Sequence, residues 1–86
     1  MRKIADFNIV AYLLYLNPEL KYSLSLAENG AVCFLFDFDD TQHLMYEYNH
    51  FYKNGKLPMY IDMKQFIGLQ QMIRKIALAY KEEKQN

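Results

Sequence analysis

The rhythm of apolar and polar positions divides the chain into a few short elements. From Phe7 to Leu16 the apolar residues crowd together: Phe7, Val10 and Leu14 on one side of a helix, Ile9, Leu13 and Leu16 on another, with Tyr12 and Tyr15 between them. A helix that is apolar nearly all round is enclosed rather than laid on a surface. In so small a domain, a second copy of the chain is a candidate for part of that cover. Asp6 is placed to cap this helix. Asn17-Pro18 ends it, because proline disfavours the helical region for the residue before it. Residues 1–5 read as a short disordered or extended arm.

The period then changes to two. Leu20, Tyr22, Leu24 and Leu26 alternate with Lys21, Ser23, Ser25 and Ala27, and Val32, Phe34, Phe36 and Phe38 alternate on the next segment. Asn29-Gly30 lies between them. A two-residue turn would set the phenylalanines opposite serines. A three-residue loop, Glu28-Asn29-Gly30, with Gly30 left-handed in a bulge, pairs Leu26 with Val32, Leu24 with Phe34, Tyr22 with Phe36 and Leu20 with Phe38. Since a slip of one residue moves every side chain to the other face, the pattern selects the bulged loop. The second face of the hairpin keeps Cys33 and Leu35 among Lys21, Ser23, Ser25 and Asp37.

Helical spacing returns after Asp39-Asp40-Thr41. Asp40 or Thr41 is expected to cap a second helix running to about Lys53, with Leu44, Met45, Tyr48, Phe51 and Tyr52 as its apolar stripe. Asn54-Gly55 suits its C-terminal end. Residues 56–61 read as a loop around Pro58, with Met59–Ile61 a candidate edge strand. Asp62 with Gln65 three residues on forms a capping-box pattern. The third helix follows to about Tyr80, with Phe66, Leu69, Ile73, Ile76 and Tyr80 at spacings of three and four, and Lys81–Asn86 is expected to fray. The fold class is therefore α+β in one small domain spanning 1–86 and ordered over about 6–80: a helix, an antiparallel β-hairpin with room for a short third strand, and two further helices packed on one sheet face.

Composition narrows the function classes. A chain of 86 residues buries only about 60% of the surface its unfolded form exposes. Its single cysteine, Cys33, rules out an internal disulfide framework. Ten basic residues balance ten acidic ones, so the basic surplus usual in duplex-binding proteins is missing. The one basic grouping is Lys53, Lys56, Lys64, Arg74 and Lys75. Met1-Arg2-Lys3 ahead of Ile9–Leu16 mimics a signal peptide. Asp6 and Asn8 interrupt the run, however, and Asn17-Pro18-Glu19 stands where a small-residue cleavage site belongs. The run is also too short to span a bilayer, so a cytoplasmic protein without a membrane segment is expected.

Three groups invite a chemical reading. Phe34 to Thr41 is similar to the first motif of the haloacid-dehalogenase phosphatases, with Asp37 in the place of the nucleophile and Asp39 in that of the general acid/base. That chemistry also needs a parallel sheet, a downstream Ser/Thr and Lys for the phosphoryl group and a second acidic pair for the metal. Here a hairpin makes the strand antiparallel to its neighbour and no Asp-Asp pair follows. A strand end feeding a helix start, where carboxylates favour the dipole, accounts for the same residues. His43, Glu47 and His50 sit at helical spacing on one face, a pattern that can hold a transition metal, yet it is also an ordinary polar helix face. Tyr22, Tyr46 and Tyr60 are candidates for stacking bases of a single strand. Gly30, Gly55 and Gly68 are isolated, so there is no phosphate-binding glycine loop. The sequence thus predicts no catalytic residues, cofactor or metal. It offers Tyr12, Tyr15, Cys33, Leu35 and Tyr46 as a candidate interaction surface.

The order of features resembles a set of short proteins of Firmicutes, their phages and mobile elements, domain-of-unknown-function family 5659. The resemblance rests on Ala11-Tyr12-Leu13, Asn29-Gly30, Val32-Cys33-Phe34-Leu35-Phe36, Asp40-Thr41, Tyr52-Lys53-Asn54-Gly55 and Asp62-Met63-Lys64-Gln65-Phe66, and covers residues 7–80. Asn17-Pro18-Glu19 departs from it, where the family more often has a Lys-Gly turn. The resemblance implies the fold and a phage or mobile-element setting, and carries no functional residues. The expected role is a small non-enzymatic interaction module, in concrete form an inhibitor of a host defence or regulatory protein. Its expected partner is a host or phage protein, with a homodimer as a further state. A single-stranded nucleic-acid accessory protein is the alternative.

Overall fold

The structure, a computed structural model, describes residues 1–52 and 62–85. The chain begins with a strand, β1 (Arg2–Ile4), followed by helix α1 (Phe7–Leu16). Strands β2 (Tyr22–Leu26) and β3 (Val32–Phe36) form the hairpin. Helix α2 (Phe38–Glu47) runs into a π-helical turn, Tyr48–Tyr52, and helix α3 (Met63–Gln85) closes the domain. The fold is α+β, with helices packed on a three-stranded antiparallel sheet of order β1-β3-β2.

The hairpin has the register that the alternation demands. Leu26 faces Val32, Leu24 faces Phe34 and Tyr22 faces Phe36. The Gly30 N–H donates to the Ala27 carbonyl at 2.9 Å and the Ala27 N–H to the Ala31 carbonyl at 2.8 Å, closing the three-residue loop. Gly30 has φ of +85°, the left-handed geometry of a bulged turn. Asn29 holds the turn from within, its side-chain oxygen accepting from the Ala31 N–H.

The third strand comes from the N-terminus. Arg2 faces Phe36 and Ile4 faces Phe34, so the expected arm is an edge strand and β3 is central. Met59–Ile61, Asn54-Gly55 and the rest of the expected connection lie outside the described residues. Cross-strand partners share a face. Ile4, Leu24 and Phe34 therefore form one row on the helix-covered side, and Tyr22 and Phe36 belong to the next. Phe7 of α1 meets Phe34 edge to face at 5.9 Å, and Tyr22 leans on both phenylalanines.

Helix α1 starts where expected, with the Asp6 carboxylate accepting from the Asn8 N–H at 2.9 Å. It ends at Asn17, whose side chain accepts from the Glu19 N–H and turns the chain towards Leu20. Val10, Ala11, Tyr12, Leu13 and Leu14 are consecutive and all buried. Steps of about 100° carry five such residues round the whole helix, so α1 is enclosed. Its covers are α3, α2 and β1 of the same chain, with Phe66, Ile73 and Ala77 of α3 joining the common core. The apolar girth of α1 is thus accounted for without a second copy.

Helix α3 has Asp62 as its cap. The Asp62 carboxylate accepts from the Gln65 N–H at 3.1 Å, while the Asp62 N–H donates to the Tyr15 hydroxyl at 2.8 Å in place of the reciprocal Gln65 bond. The helix continues to Gln85, beyond the expected end at Tyr80; Lys, Glu and Gln favour helix, and neither Gly nor Pro interrupts the run after Tyr80. No helix among the described residues is long and apolar enough to cross a membrane.

Candidate interaction surface

The acidic stretch after β3 becomes a structural corner. The strand stops at Phe36, and Asp37 caps α2: its Oδ1 accepts from the N–H groups of Asp39 at 2.9 Å and Asp40 at 3.1 Å. The helix therefore opens before Asp40-Thr41, the expected cap, because the first carboxylate beyond the strand already holds two of the free N–H groups. Asp39 and Asp40 occupy the first turn, where the dipole favours their charge. Phe38, expected opposite Leu20 in the core, instead begins the helix and is 52% exposed, with the Arg2 guanidinium 4.4 Å above its ring. Thr41 is fully buried; its hydroxyl donates to the Asp37 carbonyl and accepts from Arg2 Nε at 3.0 Å. β3 runs antiparallel to both its neighbours, unlike the sheet that phosphatase chemistry requires.

The polar face of α2 divides. His43 Nε2 lies 3.1 Å from a Glu47 carboxylate oxygen, one turn on. His50 belongs to the π-helical turn, and its ring stacks on Tyr46 at 5.0 Å. Among the described residues no three His, Cys, Asp or Glu side chains converge on a point where a metal could sit.

Two residues of the expected interaction surface are not on the surface. Tyr12 is fully buried and packs on Tyr48 at 5.6 Å, and burial, with the Glu47 charge as a lesser cause, raises its phenol above the ordinary value. Cys33, on the central strand, is also buried. Neither side chain is exposed, which corrects both assignments: Tyr12 serves the common core, and Cys33 is covered on the second sheet face, outside that core. Tyr15 is half-buried and committed internally to the Asp62 N–H and to Phe66, 6.1 Å away. Leu35 is half-buried on the second sheet face, in a shallow hollow of mixed charge with Lys21, Ser23 and Asp37. Tyr46 is exposed. Of the stacking candidates, Tyr22 is packed on the core phenylalanines, and Tyr60 lies outside the described residues.

A further feature, marked in the sequence only by one apolar residue off a helix stripe, lies elsewhere. Ala5 between β1 and α1, Phe7 at the start of α1, the hairpin (Gly30, Ala31, Val32) and one flank of α3 enclose an open groove of about 300 Å³. Arg74, Ala77, Leu78 and Lys81 supply the α3 wall, and among the described residues no acidic side chain lines it. Leu78 is 59% exposed. Ile67 and Met63, also exposed, extend the same flank towards the start of α3. Leu78 falls outside the core stripe, and an apolar residue standing off the stripe was the available signal. The other walls come from segments far apart in sequence.

Comparison with protein-family models, with curated proteins and with solved structures finds no match.

Proposed function

We propose that this chain is a small non-enzymatic protein-interaction module of phage or mobile-element origin, acting in the bacterial cytoplasm as an inhibitor of a host defence or regulatory protein. The observation that carries the reading is the apolar groove with the exposed Leu78 on its wall. Exposed apolar patches with polar rims mark places where another molecule docks. The non-enzymatic part is supported by what the acidic residues do: Asp37 spends its carboxylate on a helix cap, and Asp39 and Asp40 favour the dipole. The setting is supported by the family resemblance alone.

Affinity capture from a Firmicutes host lysate, with the wild-type chain beside Leu78→Asp, tests this. The expected result is one identified host protein, held by wild type, lost with Leu78→Asp, and inhibited when the purified components are mixed. Identical captures from both chains contradict the reading. So does Mg²⁺-dependent phosphoester turnover by the purified chain that disappears in Asp37→Asn.

A further inference from the structure

Resting on that interaction reading, we infer that the groove takes an acidic segment of a partner protein, one that places a large apolar side chain between two carboxylates. The apolar part is set by the lining: half-buried Phe7 and exposed Leu78 offer carbon surface, with the nearly buried Val32 and Ala77 beneath them. The charge is set by Arg74 and Lys81. Both belong to the lining, and among the described residues neither has an ion-pair or hydrogen-bond partner. In a chain of zero net charge, a concavity lined by two such cations and no acid is a local positive site.

Backbone donors beside the groove are already engaged. The Gly30 N–H is taken by the Ala27 carbonyl and the Ala31 N–H by the Asn29 side chain. The start of α1 is capped by Asp6, whose carboxylate already accepts from the Asn8 N–H. Recognition of charge therefore falls to the two side chains of α3. They stand two turns apart, about 10 Å along the axis. An extended peptide advances about 3.3 Å per residue and turns alternate side chains to one face, so carboxylates four positions apart, about 13 Å, flank an apolar side chain midway on the same face, within reach of the long Arg and Lys side chains. Leu78 lies between the two cations, where the apolar side chain of such a peptide would rest.

The hollow beside Leu35 is the weaker candidate, because Lys21, Asp37 and Asp40 line it together and no single sign of charge is selected. A nucleic-acid strand would use the same cations through its phosphates, and it enters the test as a competitor.

The test is a fluorescence-anisotropy titration of the full chain at low salt. The probe is a labelled extended peptide with two glutamates four positions apart and a phenylalanine midway between them. Its controls replace the glutamates by lysines or the phenylalanine by alanine. Expected are saturable binding of the acidic probe, weakening with added salt, and little binding of either control. The Arg74→Glu/Lys81→Glu variant, shown folded by circular dichroism, weakens binding by about tenfold or more, since two surface ion pairs are lost and two repulsions gained. Four results overturn the inference: no binding of the acidic probe at millimolar concentration, equal binding of the lysine control, an unchanged affinity in the double variant, or tighter binding of a single-stranded oligonucleotide that the double variant abolishes. A partner captured from lysate and retained by the double variant also overturns it, while leaving the interaction reading standing.

Discussion

At the end of β3 one carboxylate oxygen of Asp37 receives two backbone N–H groups, which fixes where the strand stops and the helix starts. Removing it strands those donors, and Asp37→Ala is expected to destabilise the chain by about 1 kcal/mol. Asp39→Ala, which loses only a favourable position on the dipole, is expected to cost about half of that or less. Urea denaturation of the two variants side by side checks the order; an equal loss would mean that Asp37 is not the cap. Tyr12 gives a pH signature. Its phenol is raised in the folded state, so above the ordinary tyrosine value of about 10 the unfolded chain releases this proton first. Folding stability is then present in full below that pH and is lost as pH rises towards the folded-state value. Stability measured from neutral to strongly alkaline pH should fall in this way, and fall less steeply in Tyr12→Phe.

At the scale of elements, most of the fold was legible because period and punctuation agreed. Asp6 and Asn17-Pro18 bracket α1, and the alternation on both sides of Asn29-Gly30 determines the hairpin register through the eight-residue aromatic and aliphatic face, except at Leu20 and Phe38. That exception traces to Asp37: the alternation continues through Phe38, but the cap ends the strand first. β1 was illegible as a strand because three residues carry no period, and its place depends on the vacant edge of β3. The π-helical turn was equally hidden, since Tyr48 fits an α-helical stripe as well as it fits the turn that holds it on Tyr12. At the other edge, Ala27 and Ala31 form a hydrogen-bonded pair, so by alternation the Leu24 carbonyl points away from β3. The Tyr80 hydroxyl donates to it at 3.1 Å, a cover over part of an otherwise open sheet edge. Gly30 offers a clean test of the bulged loop. A Cβ there would meet nothing within 4 Å, so only the positive φ opposes substitution. Gly30→Val is expected to cost about 1–2 kcal/mol, and Gly30→Asn clearly less. Equal costs for the two would show that the loop does not hold that conformation.

At the scale of the molecule, the described residues share a common core with α1 inside it. Ile73 of α3 is fully buried in that core, and Ile73→Ala should cost about 2–5 kcal/mol, a large share of a small domain's stability; thermal denaturation reads it directly. The interaction site belongs to this scale too. It was not legible in the sequence because residues 5–7, 30–32 and 74–81 meet only after folding, and each segment alone looks like a strand end, a turn or a helix flank. The candidate surface read from the sequence favoured aromatic residues, and folding took Tyr12 and Tyr15 for the core and for the link to Asp62. The most direct test of the groove as the interaction surface is amide hydrogen exchange of the chain, alone and saturated with its captured partner. Added protection should concentrate at residues 5–7, 30–32 and 74–81. Protection confined to the opposite sheet face, around Lys21, Ser23 and Leu35, would contradict it.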